Sequence, residues 1–180
     1  MNPNHEINLY EPCRPANFTS ASAEWKATAA NCPPEKQLPP EYRLNPKRRN
    51  DPNYEKPPHF FYGFGLNIQH IIDYHQTHEL PRPPPQSQRK RVSIWLFFID
   101  TVLKHLRQLC EYDGLRIVFA MSTEYDLVLA MYNSYTFHYE ELADEDEADV
   151  IQLLRREMPD VFENQKPRWF RTNSSYPDFY

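Results

Sequence analysis

Residues 93–121 read SIWLFFIDTVLKHLRQLCEYDGLRIVFAM, and this stretch decides the fold class. Trp95, Phe98, Ile99, Val102, Leu103, Leu106, Leu109 and Cys110 recur at helical spacing and share one wide face. Asp100, Lys104, Arg107, Gln108 and Glu111 share the other, and Asp113-Gly114 supplies a stop. The period then changes. Leu115 to Met121 is a short apolar run of strand type, Leu127 to Tyr132 is a second, and Ser122 to Asp126 between them is turn chemistry. A helix over about 93–112 followed by an antiparallel hairpin predicts an α+β protein. Both strands are apolar on nearly both sides, which predicts a sheet covered on both faces.

Toward the C-terminus, Tyr135, Phe137 and Tyr139 alternate with Thr136 and His138, which predicts a third, edge strand. Asp144 with Glu147 matches a capping box, and Val150, Ile151, Leu154 and Met158 form the apolar stripe of a helix ending at Pro159. The carboxylates between Glu140 and Asp149 read as a solvated helix start that suits the helix dipole. The tail from Val161 is aromatic but irregular and is expected to fold back through Trp169 and Phe170.

Toward the N-terminus, Phe64, Ile68, Ile71, Ile72 and His75 predict a helix over about 64–80, closed by Pro81. His70 and Asp73 fall off the arc shared by His75, His78 and Glu79. Residues 81–91, PRPPPQSQRKR, read as a proline and basic linker. Residues 1–58 hold most of the 18 prolines and sustain no apolar period, so no core is expected there. The expected organisation is a Pro-rich, largely disordered arm over 1–58 and a single α+β domain over 59–180. Its small antiparallel sheet of two or three strands is packed by about three helices in the order α-α-β-β-(β)-α.

Composition narrows the function classes. Twenty Lys and Arg against 25 Asp and Glu leave a formal charge of -5, the opposite of the basic footprint that nucleic-acid binding favours. The longest strongly apolar run, Ile94 to Ile99, is far shorter than a membrane span, so no membrane partner is expected. Met1 to Tyr10 has no basic and no apolar segment of signal type, which points to cytoplasm or nucleus. Three cysteines with no C-x-x-C pair suggest neither a disulfide framework nor a zinc knuckle. Phosphate-loop, dinucleotide and nucleophile-elbow patterns are all missing, so the chain reads as non-catalytic and no cofactor is expected.

The first functional reading is therefore an intracellular protein-interaction protein. Leu38-Pro39-Pro40-Glu41-Tyr42 fits the P-P-x-Y pattern of WW-domain ligands: Pro39 and Pro40 would present a polyproline II turn and Tyr42 would fill a second pocket. Ile94 and Phe97 fall on the polar side of their helix and mark a partner surface on the domain. Ser93, after Arg89-Lys90-Arg91, resembles a basophilic kinase site at a helix start. The alternative reading is a metal-dependent or enzymatic protein using His75, His78 and Glu79, whose donor atoms suit a divalent transition metal. Against it, His75 sits in the apolar face, where a hydrogen-bonded core histidine is the plainer account. A third reading uses the basic clusters Lys47-Arg48-Arg49 and Arg89-Lys90-Arg91 to hold nucleic acid.

Overall fold

The computed structural model describes residues 23–48, 50–83 and 94–172. Helix α1 spans Ala23–Ala30, and two single 3-10 turns follow at Pro40–Tyr42 and Pro46–Arg48. Then come β1 (Phe60–Leu66), α2 (Ile68–Thr77), α3 (Ile94–Cys110), β2 (Arg116–Phe119), β3 (Leu127–Asn133), α4 (Phe137–Glu140), α5 (Asp144–Glu157), α6 (Pro159–Phe162) and β4 (Arg168–Arg171). The chain is a mixed helix and sheet fold built on one antiparallel sheet of four strands, ordered β2-β3-β1-β4. None of the described helices is long and apolar enough to cross a membrane.

The sheet has more strands than the two or three expected, and the order differs. The central addition is β1, in residues whose reading as the start of a helix from Phe64 is corrected here. Phe60, Phe64 and Leu66 point to the main core and Phe61 to a second one, a period of two. Gly63 is what lets β1 lie in the middle of the sheet. A Cβ there would stand 2.0 Å from the Leu129 carbonyl oxygen, beside a bulge between Tyr62 and Gly63. Helix α2 starts only at Ile68, whose N–H donates to Asp126 Oδ2 at 3.1 Å, a carboxylate placed at the positive helix end.

The edge strand expected at Tyr135 to Tyr139 is a turn leading into α4 instead. Asn133 Oδ1 accepts from the N–H groups of both Tyr135 and Thr136, which bends the chain out of the ladder. The edge is taken by β4, in the tail read as irregular. Trp169 and Phe170 on it are buried, one in each core. Helix α3 also stops earlier than its Gly114 signal. Glu111 takes a φ of 49°, and Tyr112 N–H bonds back to the Arg107 carbonyl at 3.1 Å. Helix α2 ends the same way, with Glu79 at φ 48° and Leu80 N–H on the His75 carbonyl. Both are left-handed Schellman endings in which glutamate occupies the usual glycine position.

Two cores result. Between the sheet and helices α2, α3 and α5 lie Phe64, Leu66, Phe98, Val102, Leu106, Leu129, Leu154 and Phe162, all fully buried. Each contributes roughly 1.5–3 kcal/mol of apolar burial. The other sheet face carries Phe61, Val118, Ala120, Val128, Ala130 and Phe170. The two edges of the sheet come together next to this face. Beyond β2, Ala120 bridges Thr172 beyond β4, and Met121 N–H reaches the Arg171 carbonyl at 2.8 Å. The two edges thereby meet at one corner.

Part of the stretch read as a separate arm lies on this body. Glu35 pairs with Trp169 at the outer edge of β4. Leu38 and Leu44 are buried, and the Tyr42 ring stacks on Phe60 at 4.8 Å.

Candidate functional site

Helix α2 has a polar face at helical spacing: His70, Asp73, Tyr74, Thr77 and His78. Opposite it is the corner where α5 gives way to α6. Met158 there has φ -133° and ψ 62°, outside the helical region, because Pro159 follows it. The break leaves Glu157, Asp160 and Val161 facing α2 across a half-open cleft of about 300 Å³. Its lining holds three carboxylates (Asp73, Glu157 and Asp160) and no Lys or Arg.

The floor is aromatic. The His78 ring lies 4.0 Å from the Tyr74 ring and 5.2 Å from that of His105 on α3. Tyr74 Oη and His105 Nδ1 are hydrogen-bonded at 2.9 Å. Burial pushes the Tyr74 hydroxyl well above the ordinary phenol range, with Glu157 adding to the effect. Burial lowers His105, with His78 adding to it and Glu157 opposing. Burial likewise lowers His70, with Asp73 and Asp126 opposing. Near neutral pH His70 and His105 are therefore uncharged, and the carboxylates set the sign of the cleft. His70 Nδ1 accepts from the Asn67 N–H at 3.2 Å, which leaves the ring proton on Nε2.

The carboxylates are differently engaged. Asp73 Oδ1 accepts from Gln69 Nε2 at 2.8 Å. Glu157 Oε1 meets exposed Arg156 at 3.3 Å, while Oε2 faces His78 Nε2 at 3.9 Å. These are negative ends held in place by their helices. A nucleophile is harder to find. Thr77 carries the one hydroxyl of aliphatic type in the lining. Cys110, behind the site, is buried, and its thiol is pushed up to about 11 by burial, with Glu157 adding and Arg156 opposing. A thiol so protonated is inert. The cleft thus sets three carboxylates beside the Tyr74 and His78 rings.

The expected site residues are scattered. His75 lies in the main core, its Nε2 donating to the Pro81 carbonyl at 3.1 Å and its ring edge-on to Phe98. Glu79 is exposed and serves the backbone turn that ends α2. Only His78 reaches the cleft, and its neighbours there are His70 and Asp73, the two residues set off the arc in the sequence reading. Among the described residues no group of three or more His, Cys, Asp and Glu is arranged to hold a metal ion. Ile94 and Phe97 are half-buried against the main core. Pro40 and Tyr42 belong to a 3-10 turn, and Pro39 precedes it. Arg48 pairs with Asp51 at 3.1 Å and lies over the Tyr54 ring. Ser93, Arg49 and Arg89 to Arg91 lie outside the described residues.

Helical spacing of the polar residues on α2 was a usable signal for one wall of the cleft. No pattern joined it to Glu157, which stands some eighty positions later. Comparison with family models, with curated proteins and with solved structures returned no match to this chain.

Proposed function

We propose that this chain is a non-catalytic protein-interaction protein whose cleft between α2 and the α5–α6 corner receives a lysine or arginine side chain of a partner protein. The observation that carries the reading is the lining itself: three carboxylates beside the Tyr74 and His78 rings and no Lys or Arg within about 300 Å³, with Arg156 meeting Glu157 from outside it. That volume is at the lower end for ligand sites and suits one long side chain. The stem of Lys or Arg would lie along Met158 and Val161, with its head among Asp73, Glu157 and Asp160.

Magnitudes point to a protein partner over a free amino acid. Each partly exposed ion pair contributes roughly 0.2–1 kcal/mol, and a cation over a ring roughly 0.5–1 kcal/mol. Together these amount to about 1–4 kcal/mol, at most a millimolar interaction on its own. The cleft therefore works as an anchor within a wider contact, in the manner of an interface hot spot. Binding weakens as salt rises, because the cleft is open.

Affinity purification from the native host, with wild type beside Asp73→Asn/Asp160→Asn, tests the reading. Both residues are exposed, so the folded state should survive. The expected result is a specific protein recovered by wild type and lost from the variant. Equal recovery by both places recognition elsewhere and rejects the cleft.

A further inference from the structure

Residues 35–44 offer a second recognition element, independent of the cleft. Polyproline recognition needs two things: an extended Pro-Pro face and a free tyrosine ring for the adjoining pocket. The first is met only in part: Pro39 is extended, with φ -55° and ψ 143°, but Pro40, though exposed, opens a 3-10 turn. The second is not met. Pro40–Tyr42 closes into a 3-10 turn, with Tyr42 N–H on the Pro39 carbonyl at 3.0 Å and Arg43 N–H on the Pro40 carbonyl at 3.1 Å. The Tyr42 ring is stacked on Phe60 at 4.8 Å and 21°.

Contacts on either side hold the segment down. Glu35 and Trp169 exchange both backbone hydrogen bonds, at 2.9 and 2.8 Å. Leu38 is buried in the main core, Leu44 is buried, and the Arg43 guanidinium lies 5.7 Å from the Phe137 ring. From these contacts we infer that residues 35–44 form a latch: Pro40 to Tyr42 of the P-P-E-Y motif are held in a turn with the tyrosine ring packed down, and a WW-type domain binds the motif only after the segment lifts from the sheet. Apparent affinity then scales with the fraction of lifted molecules.

The probe is an isolated WW domain of the class that takes P-P-x-Y peptides, titrated by fluorescence anisotropy. Three samples are compared: the free peptide of residues 33–45, the full chain, and full-chain variants Glu35→Pro and Leu38→Ala. Glu35→Pro removes the Glu35 N–H donor to Trp169 and leaves the motif intact. Leu38→Ala withdraws the buried anchor and is matched by the same change in the peptide. Thermal melts of both variants confirm a folded domain.

The expected result is that the peptide binds, the wild-type chain binds at least ~10-fold more weakly (about 1.4 kcal/mol), and either folded variant recovers most of the difference. Three outcomes overturn the latch. The peptide fails to bind, so the motif is no WW ligand. The chain binds as well as the peptide, so nothing is withheld. Or the folded variants stay as weak as wild type, so the contacts described here are not what withholds the motif.

Discussion

His75 shows how far one residue's meaning depends on its surroundings. By sequence it is a metal-ligand candidate. In the fold it is a core side chain whose Nε2 is spent on the Pro81 carbonyl beside Phe98. Burial lowers its pKa from the ordinary 6.5, with the Pro81 hydrogen bond opposing. His70 and His105 are lowered too, each chiefly by burial. The folded state therefore disfavours the proton more than the unfolded chain does. For such a group stability is complete above 6.5 and is lost as pH falls below it. The unfolding midpoint should drop between pH 7.5 and pH 5.5, and the drop should be smaller in His75→Gln, as read by chemical denaturation at each pH. A pH-independent midpoint over that window would contradict the assignment. Glu140 does not blur the result. Burial pushes its carboxyl up, but the Thr136 hydroxyl and Arg116 hold it below the ordinary 4.5, so its loss comes at lower pH. The apolar position of His75 was legible in the sequence. The hydrogen bond to a carbonyl beyond the helix was not, since it depends on where α2 ends.

Among the elements, α3 and the β2–β3 hairpin were readable because their patterns are long and unmixed. Strand β1 was not, because Phe64, Ile68, Ile71 and Ile72 continue a helical period across the strand–helix junction. Gly63, which excludes any side chain at the Leu129 carbonyl, decides the matter only when β3 is in place. Helix α5 was placed correctly from Asp144, yet its acidic start is more than a solvated cap. Glu147 accepts from Tyr132 Oη at 2.7 Å and from Tyr62 Oη at 3.2 Å, which ties α5 to the two central strands. Burial first and Glu147 second push the Tyr62 hydroxyl up to about 12 and Tyr132 higher still. Removing the carboxylate leaves buried Tyr132 and half-buried Tyr62 short of an acceptor. Glu147→Ala should cost about 2–3 kcal/mol in urea denaturation, and Glu147→Gln, which keeps one acceptor, about half as much. Equal stability of Glu147→Ala and wild type would show that α5 is held by its apolar stripe alone.

At the scale of the molecule, β3 is buried along its whole length because it lies between β2 and β1 and feeds both cores, Leu127, Leu129 and Met131 one of them and Val128 and Ala130 the other. Ala120 and Thr172 join the two edges at one corner. That frame sets α2 and the α5–α6 corner a fixed distance apart and so makes the cleft. No local pattern reports such a meeting of remote elements, which is why sequence reading found the helices and missed the site between them. The most direct measurement on the cleft is a 15N-labelled chain titrated with an acetylated Ala-Ala-Lys-Ala-Ala amide, beside the same peptide with norleucine for lysine, each followed by two-dimensional NMR. The lysine peptide should shift the signals of Asp73, Thr77, His78 and Asp160 in proportion to its concentration, with shifts weakened by salt and missing with norleucine. Shifts that map to another face, that ignore salt, or that are equal for the two peptides would contradict a cationic anchor in the cleft.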